Sequence, residues 1–317
     1  MKITKKFISL FVISVIALLL VGSFTLGAFM AEFSLDPSRC DIETEVLNAG
    51  FGLNPPGIEE WAADLRDSGK LRDTSIVIDG IELYASFVAA EPNTGKTAIS
   101  IHGYSSEPED MMQYARMFRD SLGYNVLLPA LRRHGRSGGN KAQMGWLDRL
   151  DLEMWITTAH SMFEDSLVVV HGLSMGGAAA MMVCGEDLPG YVRGVIDDCG
   201  YSTVWDLFSK QLTDVYHLPV FPVLYIAEDI CDFKYGWTYK EASSIDQVAD
   251  CALPMLFIHG DSDQVVPVEL AHRLYDSKVE GYKELWIVPE TTHAMAFDNY
   301  PDEYVGRVRT FLKEHVE

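Results

Sequence analysis

Gly172-Leu173-Ser174-Met175-Gly176 sets one serine between two glycines, the pattern G-x-S-x-G. An apolar run, Leu167-Val168-Val169-Val170-His171, precedes it, and small helix-forming residues, Gly177-Ala178-Ala179-Ala180-Met181-Met182, follow. That order predicts strand, sharp turn and helix, with Ser174 exposed at the turn as a nucleophile. The flanking glycines are needed because any side chain at Gly172 or Gly176 would crowd so tight a turn. The helix that starts beside Ser174 points its positive end at the place where an oxyanion would form.

A serine hydroxyl is a weak nucleophile until a base takes its proton, and the base needs an acid to orient it. Both residue types follow in the chain order expected of such a triad. Pro254-Met255-Leu256-Phe257-Ile258 reads as a buried strand running into the polar turn His259-Gly260-Asp261-Ser262-Asp263-Gln264-Val265-Val266-Pro267. Asp263 is the candidate acid. Asp261, two residues away, reads as a turn-capping carboxylate and is its rival; Asp197 and Asp198, after Gly194-Val195-Ile196, offer a second position. The strand Glu284-Leu285-Trp286-Ile287-Val288-Pro289 leads to His293, the candidate base. All three loops then lie at the carboxyl edge of one sheet, where open α/β sheets meet ligands. His102, His171 and His259 each end a strand and precede glycine, which predicts packing roles. His160, His217, His272 and His315 read as solvated, and His134 is left open.

The third requirement is a pair of donors for the oxyanion. One is the backbone N–H after the nucleophile, Met175; the other belongs to the loop after the strand Thr97-Ala98-Ile99-Ser100-Ile101, at Tyr104. Such donors act on charge that develops only in the transition state, at about 3 kcal/mol each. The Tyr104 ring itself reads as a pocket wall. No cluster has the spacing of a zinc site, and acyl transfer to water through these groups requires no metal or organic cofactor.

The elements that must hold these residues alternate strand and helix, which predicts an α/β fold with a mostly parallel central sheet and helices on both faces. A hairpin around Asp79-Gly80 spans Thr74 to Ala90. Helices are predicted at Ile58–Ser68, Glu109–Leu122, Trp146–Phe163, Met175–Glu186, Thr203–Tyr216, Val268–Lys278 and Asp302–His315. More than fifty residues separate the strand ending at Asp197 from the one starting at Pro254, too many for a bare loop. Residues 201–252 therefore read as a cap insertion. Its aromatics Phe233, Tyr235, Trp237 and Tyr239 read mainly as packing groups, with the lining of an apolar pocket as the alternative.

Taken together, His102-Gly103, the Ser174 pentapeptide, the Asp263 loop and His293-Ala294 resemble the α/β-hydrolase superfamily over residues 70 to 317. More narrowly, His102-Gly103-Tyr104-Ser105-Ser106, Gly145-Trp146-Leu147-Asp148-Arg149-Leu150-Asp151 and Asp198-Cys199-Gly200-Tyr201-Ser202 resemble bacterial membrane-anchored or secreted hydrolases of the serine aminopeptidase-like branch. The resemblance implies an α/β-hydrolase fold with a cap. It also implies one departure: related chains carry aspartate and then Arg-Gly-His-Gly-x-Ser where this chain has Leu131-Arg132-Arg133-His134-Gly135-Arg136-Ser137. Leu131 replaces the aspartate and Arg133 a glycine.

Lys2, Lys5 and Lys6 precede an uncharged stretch from Phe7 to Ala31, longer than the about 20 apolar residues that cross a bilayer. It also exceeds the apolar region of a cleaved signal peptide. An uncleaved anchor is the primary reading, with secretion after cleavage near Val21-Gly22-Ser23 as the alternative. Leading lysines place the amino terminus inside and the rest of the chain outside the membrane. The expected organisation is residues 1–31 as anchor or signal, 32–73 as a linker with a short helix, and 74–317 as the catalytic domain. The net charge of −21 argues against nucleic-acid partners and for a soluble surface beside the membrane. Five cysteines cannot all pair within one chain. Cys184 and Cys199 read as buried thiols, whereas Cys231 and Cys251 bracket the cap and form the candidate disulfide. The expected activity is hydrolysis of a small-molecule acyl bond, a carboxylic ester first and a peptide or amide second. An inactive hydrolase fold used as a surface binding module is the alternative of another class. The oligomeric state is not fixed by the sequence.

Overall fold

The computed structural model describes residues 5–39, 55–164 and 166–317; Cys40 and Asn54 lie outside them. In chain order the helices are α1 (Lys5–Phe33), α2 (Ile58–Asp67), α3 (Met112–Arg116), α4 (Asp148–Phe163), α5 (Met175–Val183), α6 (Val204–Lys210), α7 (Val220–Tyr235), α8 (Ser244–Asp250), α9 (Val268–Ser277), α10 (Ala296–Asn299) and α11 (Pro301–Phe311). The strands are β1 (Leu71–Ile78), β2 (Ile81–Val88), β3 (Lys96–Ile101), β4 (Asn125–Pro129), β5 (Leu167–Leu173), β6 (Val192–Asp198), β7 (Met255–Gly260) and β8 (Lys283–Val288).

They form one eight-stranded sheet in the order β1-β2-β4-β3-β5-β6-β7-β8. The β1–β2 hairpin and the β2–β4 pair are antiparallel, and all later pairs are parallel. The hairpin turns on Asp79 and Gly80, both at positive φ (51° and 77°), the two-residue turn whose twist matches that of its strands. Strands β4, β5 and β7 are buried along their whole length, as expected of strands covered on both faces.

Alternate residues feed two separate cores. Val168, Val170 and Phe257 join the layer of α4, α5 and the segment between β6 and β7. Leu167, Val169, Leu256 and Ile258 join the layer of α2, α3 and α11. The predicted helices are present, but those at Glu109–Leu122, Thr203–Tyr216 and Asp302–His315 each finish in a widened π turn rather than one uniform α-helix.

Between β6 and β7 the insertion folds into α6, α7 and α8. Trp237 and Tyr239 are fully buried; the Trp237 indole N–H donates to Gln143 Oε1 at 3.0 Å. They pack the insertion down, whereas Phe233 is exposed. Cys231 and Cys251 do not pair: each is a buried free thiol. The sequence could not give their distance. Cys251 instead faces Cys184, at the end of α5, and burial holds the Cys184 thiol well above its ordinary value. Lys278, itself buried, donates to the Cys251 and Glu280 carbonyls at 2.7 Å.

Helix α1 is long and apolar enough to cross a membrane, and up to Gly22 it is almost wholly exposed. Its last turns are built into the domain. A Cβ at Gly27 would sit 2.7 Å from Ile226 Cγ2, so glycine alone lets α1 approach α7 this closely. Ala31 and Leu35 are completely buried. Glu32 pairs with Lys234 and Lys141, and Asp36 with Lys141 and Arg133. Residues 32–36, the first part of the expected linker, thus pack against the sheet layer and the insertion that carries α7.

Candidate active site

Ser174 follows β5 with φ 56° and ψ −115°, a strained conformation for a residue with a side chain. The neighbours enforce it. A Cβ at Gly172 would lie 2.0 Å from the Gly176 carbonyl oxygen, and one at Gly176 would lie 2.2 Å from that of Ile101. The Ser174 N–H donates to the Asp198 carbonyl at 2.7 Å, tying the turn to the end of β6. The first bond within α5 runs from the Ala178 N–H to the Ser174 carbonyl, so the N–H groups of Met175, Gly176 and Gly177 form the open end of the helix.

The loops after β7 and β8 bring Asp263 and His293 to this edge. Ser174 Oγ donates to His293 Nε2 at 2.8 Å, and His293 Nδ1–H donates to Asp263 Oδ2 at 2.6 Å. A carboxylate only accepts, so Nδ1 carries the imidazole proton and Nε2 is free to take one from the serine. Asp263 is held in turn. Its Oδ1 accepts the Val265 and Val266 N–H groups, both at 2.8 Å. Burial would raise this carboxyl, but His293 and His259 beside it outweigh burial and hold it well below the usual carboxylate range.

The rivals fall elsewhere. Asp261 is exposed and turns to the Ser262 hydroxyl and the Thr291 N–H. Asp197 and Asp198 are buried at the end of β6, and burial pushes each up to about 7. Asp198 accepts from the Tyr304 hydroxyl at 3.0 Å rather than from His293.

Several histidines share in the polar framework beneath the turn. His102 donates from Nδ1 to the Gly103 carbonyl at 2.7 Å and accepts the Leu131 N–H at Nε2 at 3.0 Å; burial pulls its pKa down to about 4. It thereby fixes the loop that carries Tyr104. His171 lies between the Ser100 hydroxyl and the Tyr304 hydroxyl, at 2.8 and 3.2 Å. A chain of hydrogen bonds therefore runs from Ser100 through His171 and Tyr304 to Asp198, whose carbonyl holds Ser174. His134 is buried, with Nδ1 on the Arg132 carbonyl at 2.9 Å. His160 and His315 are not simply solvated; they stack on Tyr191 and Tyr282.

His259 is the residue whose role the sequence concealed. It is completely buried, donates from Nε2 to the Val266 carbonyl at 2.8 Å, and brings the same nitrogen to 3.3 Å from Asp263 Oδ2. Burial disfavours a charged imidazole here, but Asp263 outweighs it and the pKa is raised. The only sequence signal was its spacing of four residues from Asp263 across a turn.

The departure in the loop after β4 has a local explanation. Leu131 is buried in the core, and Arg133 adopts φ 68°, the left-handed conformation that glycine takes without penalty. The Arg133 guanidinium lies 3.5 Å from Asp36, in the segment that leaves α1. Arg132 makes a two-pronged pair with the buried Asp151, at 2.6 and 2.7 Å.

Cys199, Asp263 and His293 also lie close enough together to be considered as metal ligands. Their chemistry fits poorly. Both His293 nitrogens and both Asp263 oxygens are committed to hydrogen bonds. Burial and the neighbouring acids keep the Cys199 thiol far above its ordinary value, hence protonated.

Residues 139–317 match the model of the prolyl oligopeptidase family. The chain belongs to that family. Uncharacterized protein YqkD of Bacillus subtilis (strain 168) is 30% identical over 246 residues, 77% of this chain and 80% of that protein. Among solved structures, the Pyrococcus furiosus esterase Pf2001 superposes with a TM-score of 0.65 at 22% identity, covering 80% of this chain and 96% of that one. Est1E from Butyrivibrio proteoclasticus, solved with ferulic acid, gives 0.61 at 18% identity over 76% and 98% of the two chains. The protein is thus an α/β-hydrolase and a hydrolytic enzyme, and its buried Ser-His-Asp arrangement is that of a serine hydrolase.

Proposed function

We propose that this family member is a carboxylic ester hydrolase working through Ser174, His293 and Asp263. The observation that carries the reading is the continuous chain of hydrogen bonds from Ser174 Oγ to His293 to Asp263, with the serine on a strained turn at a helix start. Ser174 attacks the acyl carbonyl while His293 Nε2 takes its proton and then delivers it to the leaving alkoxide. Asp263 keeps His293 in the required tautomer and stabilises the imidazolium. The Met175 and Tyr104 N–H groups hold the oxyanion. Water then releases the acyl group by the same steps, with His293 as base.

Esterase likenesses among the solved structures favour the ester, and the family match favours a second reading, the cleavage of peptides or amides. The triad serves both, so the leaving group must be tested directly. Rates for p-nitrophenyl esters of graded acyl length would be compared with those for aminoacyl p-nitroanilides. The ester reading predicts a clear preference for one ester length. Anilides cleaved faster than every ester would replace it with the peptidase reading.

The organisation proposed with this function is an uncleaved, single-pass anchor in α1 with the α/β domain outside the membrane and the insertion at about 201–252 acting as a cap. Lys2, Lys5 and Lys6, which precede the uncharged stretch from Phe7, support that orientation.

A further inference from the structure

Helix α1 and helix α7 run side by side in the same direction. Gly27 meets Val223 and Ile226 near the start of α7, while Glu32 meets Lys234 and Tyr235 near its end. The free part of α1 therefore leaves the domain at the amino-terminal end of α7. Among the described residues that end is exposed and apolar. Phe221 is 72% exposed, Val215 58%, Tyr216 46% and Tyr225 44%. No Asp, Glu, Lys or Arg occurs from Val215 to Ala227, in a chain whose net charge is −21. The Phe221 and Tyr225 rings lie 5.7 Å apart, and Trp205 meets Tyr225 edge-on at 4.9 Å.

Depth can be worked from α1 itself. The hydrocarbon core takes about 20 helical residues. Counted from Phe7, the first residue after the lysines, that length ends near Leu26, beside the contact with Val223 and Ile226. The first turns of α7 then lie level with the outer boundary of the hydrocarbon. Glu32, the first charge after Lys6, lies beyond that boundary, paired with Lys141 and Lys234. Trp205 and Tyr225, with the Lys240 ammonium over both rings at 3.6 and 4.8 Å, fall where amphipathic aromatics collect at membrane surfaces.

We infer that Val215–Tyr225 is a second membrane contact, a wedge on the cap that enters the outer leaflet of the bilayer crossed by α1. The inference rests on the reading of α1 as an uncleaved span and not on the ester assignment. The acidity of the rest of the chain directs the wedge to a zwitterionic surface.

The test uses the full chain in phosphatidylcholine nanodiscs. Cysteines replace Phe221, Tyr225 or, as the control at the far end of α7, Phe233, in a Cys40→Ser background, and each carries a bimane label. Phospholipid spin-labelled at carbon 5 of the acyl chain serves as quencher. Fluorophosphonate labelling of each variant reports an intact fold around Ser174, and intact mass reports whether α1 is retained. A group buried ~5–10 Å into the interface should be quenched at least twofold. The expected result is that quenching at Phe221→Cys and Tyr225→Cys, with Phe233→Cys unaffected. Equal quenching at Phe221→Cys and Phe233→Cys in full-length protein overturns the wedge, and so does a mature chain lacking α1. Neither outcome bears on the hydrolase reading, which the fluorophosphonate reports separately.

Discussion

Asp263→Asn isolates the contribution of one proton. The carboxylate uses Oδ1 for the Val265 and Val266 N–H groups and Oδ2 for His293. In the variant, the amide oxygen must keep the Oδ1 position, because a flipped NH₂ would face two N–H donors and forfeit two hydrogen bonds, each about 1–3 kcal/mol. The NH₂ group then faces His293 Nδ1 and donates to it. The imidazole proton moves to Nε2, the nitrogen 2.8 Å from Ser174 Oγ, which can no longer accept the serine proton. Both backbone contacts survive and only the 3.3 Å approach of His259 Nε2 to Oδ2 is lost besides, so melting temperature should fall modestly and the fold should remain intact. Loss of the correct tautomer should lower kcat about 10⁴-fold, about 5.4 kcal/mol in the barrier. The assay is steady-state hydrolysis of a p-nitrophenyl ester at pH 8 by wild type, Asp263→Asn and Asp198→Asn. A drop of less than tenfold in Asp263→Asn, with a large drop in Asp198→Asn, would refute the assignment and move the acid to the end of β6.

Three further outcomes follow from the packing. Gly172→Ala forces a Cβ to 2.0 Å from the Gly176 carbonyl oxygen, backbone that cannot swing aside; urea unfolding should show a loss of at least about 3 kcal/mol, or no soluble protein. Arg132→Met strands the buried Asp151 carboxylate and should cost about 3–5 kcal/mol, most of it recovered in the double variant with Asp151→Asn; independent, additive losses would show that the pair is not coupled. Burial raises the Asp148 carboxyl to about 7, so its contribution to stability is present below the unfolded value of about 4 and is lost as pH rises through 7. Asp148→Asn should accordingly gain stability relative to wild type between pH 4.5 and 8.5 in urea titrations, and a difference constant with pH would contradict the buried acid.

Much of this was legible in the sequence where residue type and turn geometry are locked together. The G-x-S-x-G turn tolerates no Cβ at its glycines, so it announces itself. Asp263 and His293 each follow an apolar strand, and strand ends on one sheet edge converge without further information. What was hidden depends on contacts across long stretches of chain. His259 looks like any strand-end histidine until the turn folds its ring against Asp263. The docking of α1 on α7 joins residues about two hundred positions apart, and a uniformly apolar helix gives no facial pattern to betray which side is buried. Cys251 has no neighbour legible in the sequence for the same reason: its facing thiol, Cys184, comes from the end of the helix after Ser174 rather than from the insertion between β6 and β7. Arg133 departs from the pattern of related chains, and its place becomes intelligible only with Asp36 beside it.

An activated nucleophile at Ser174 should react with electrophiles that leave an ordinary serine untouched. The most direct measurement is reaction of the purified chain with a fluorophosphonate probe, read by intact mass and by mapping of the modified peptide, with Ser174→Ala and His293→Ala alongside. A single adduct on Ser174 is expected in wild type and none in either variant. A folded wild type that takes up no probe, or an adduct at a different residue, would contradict it.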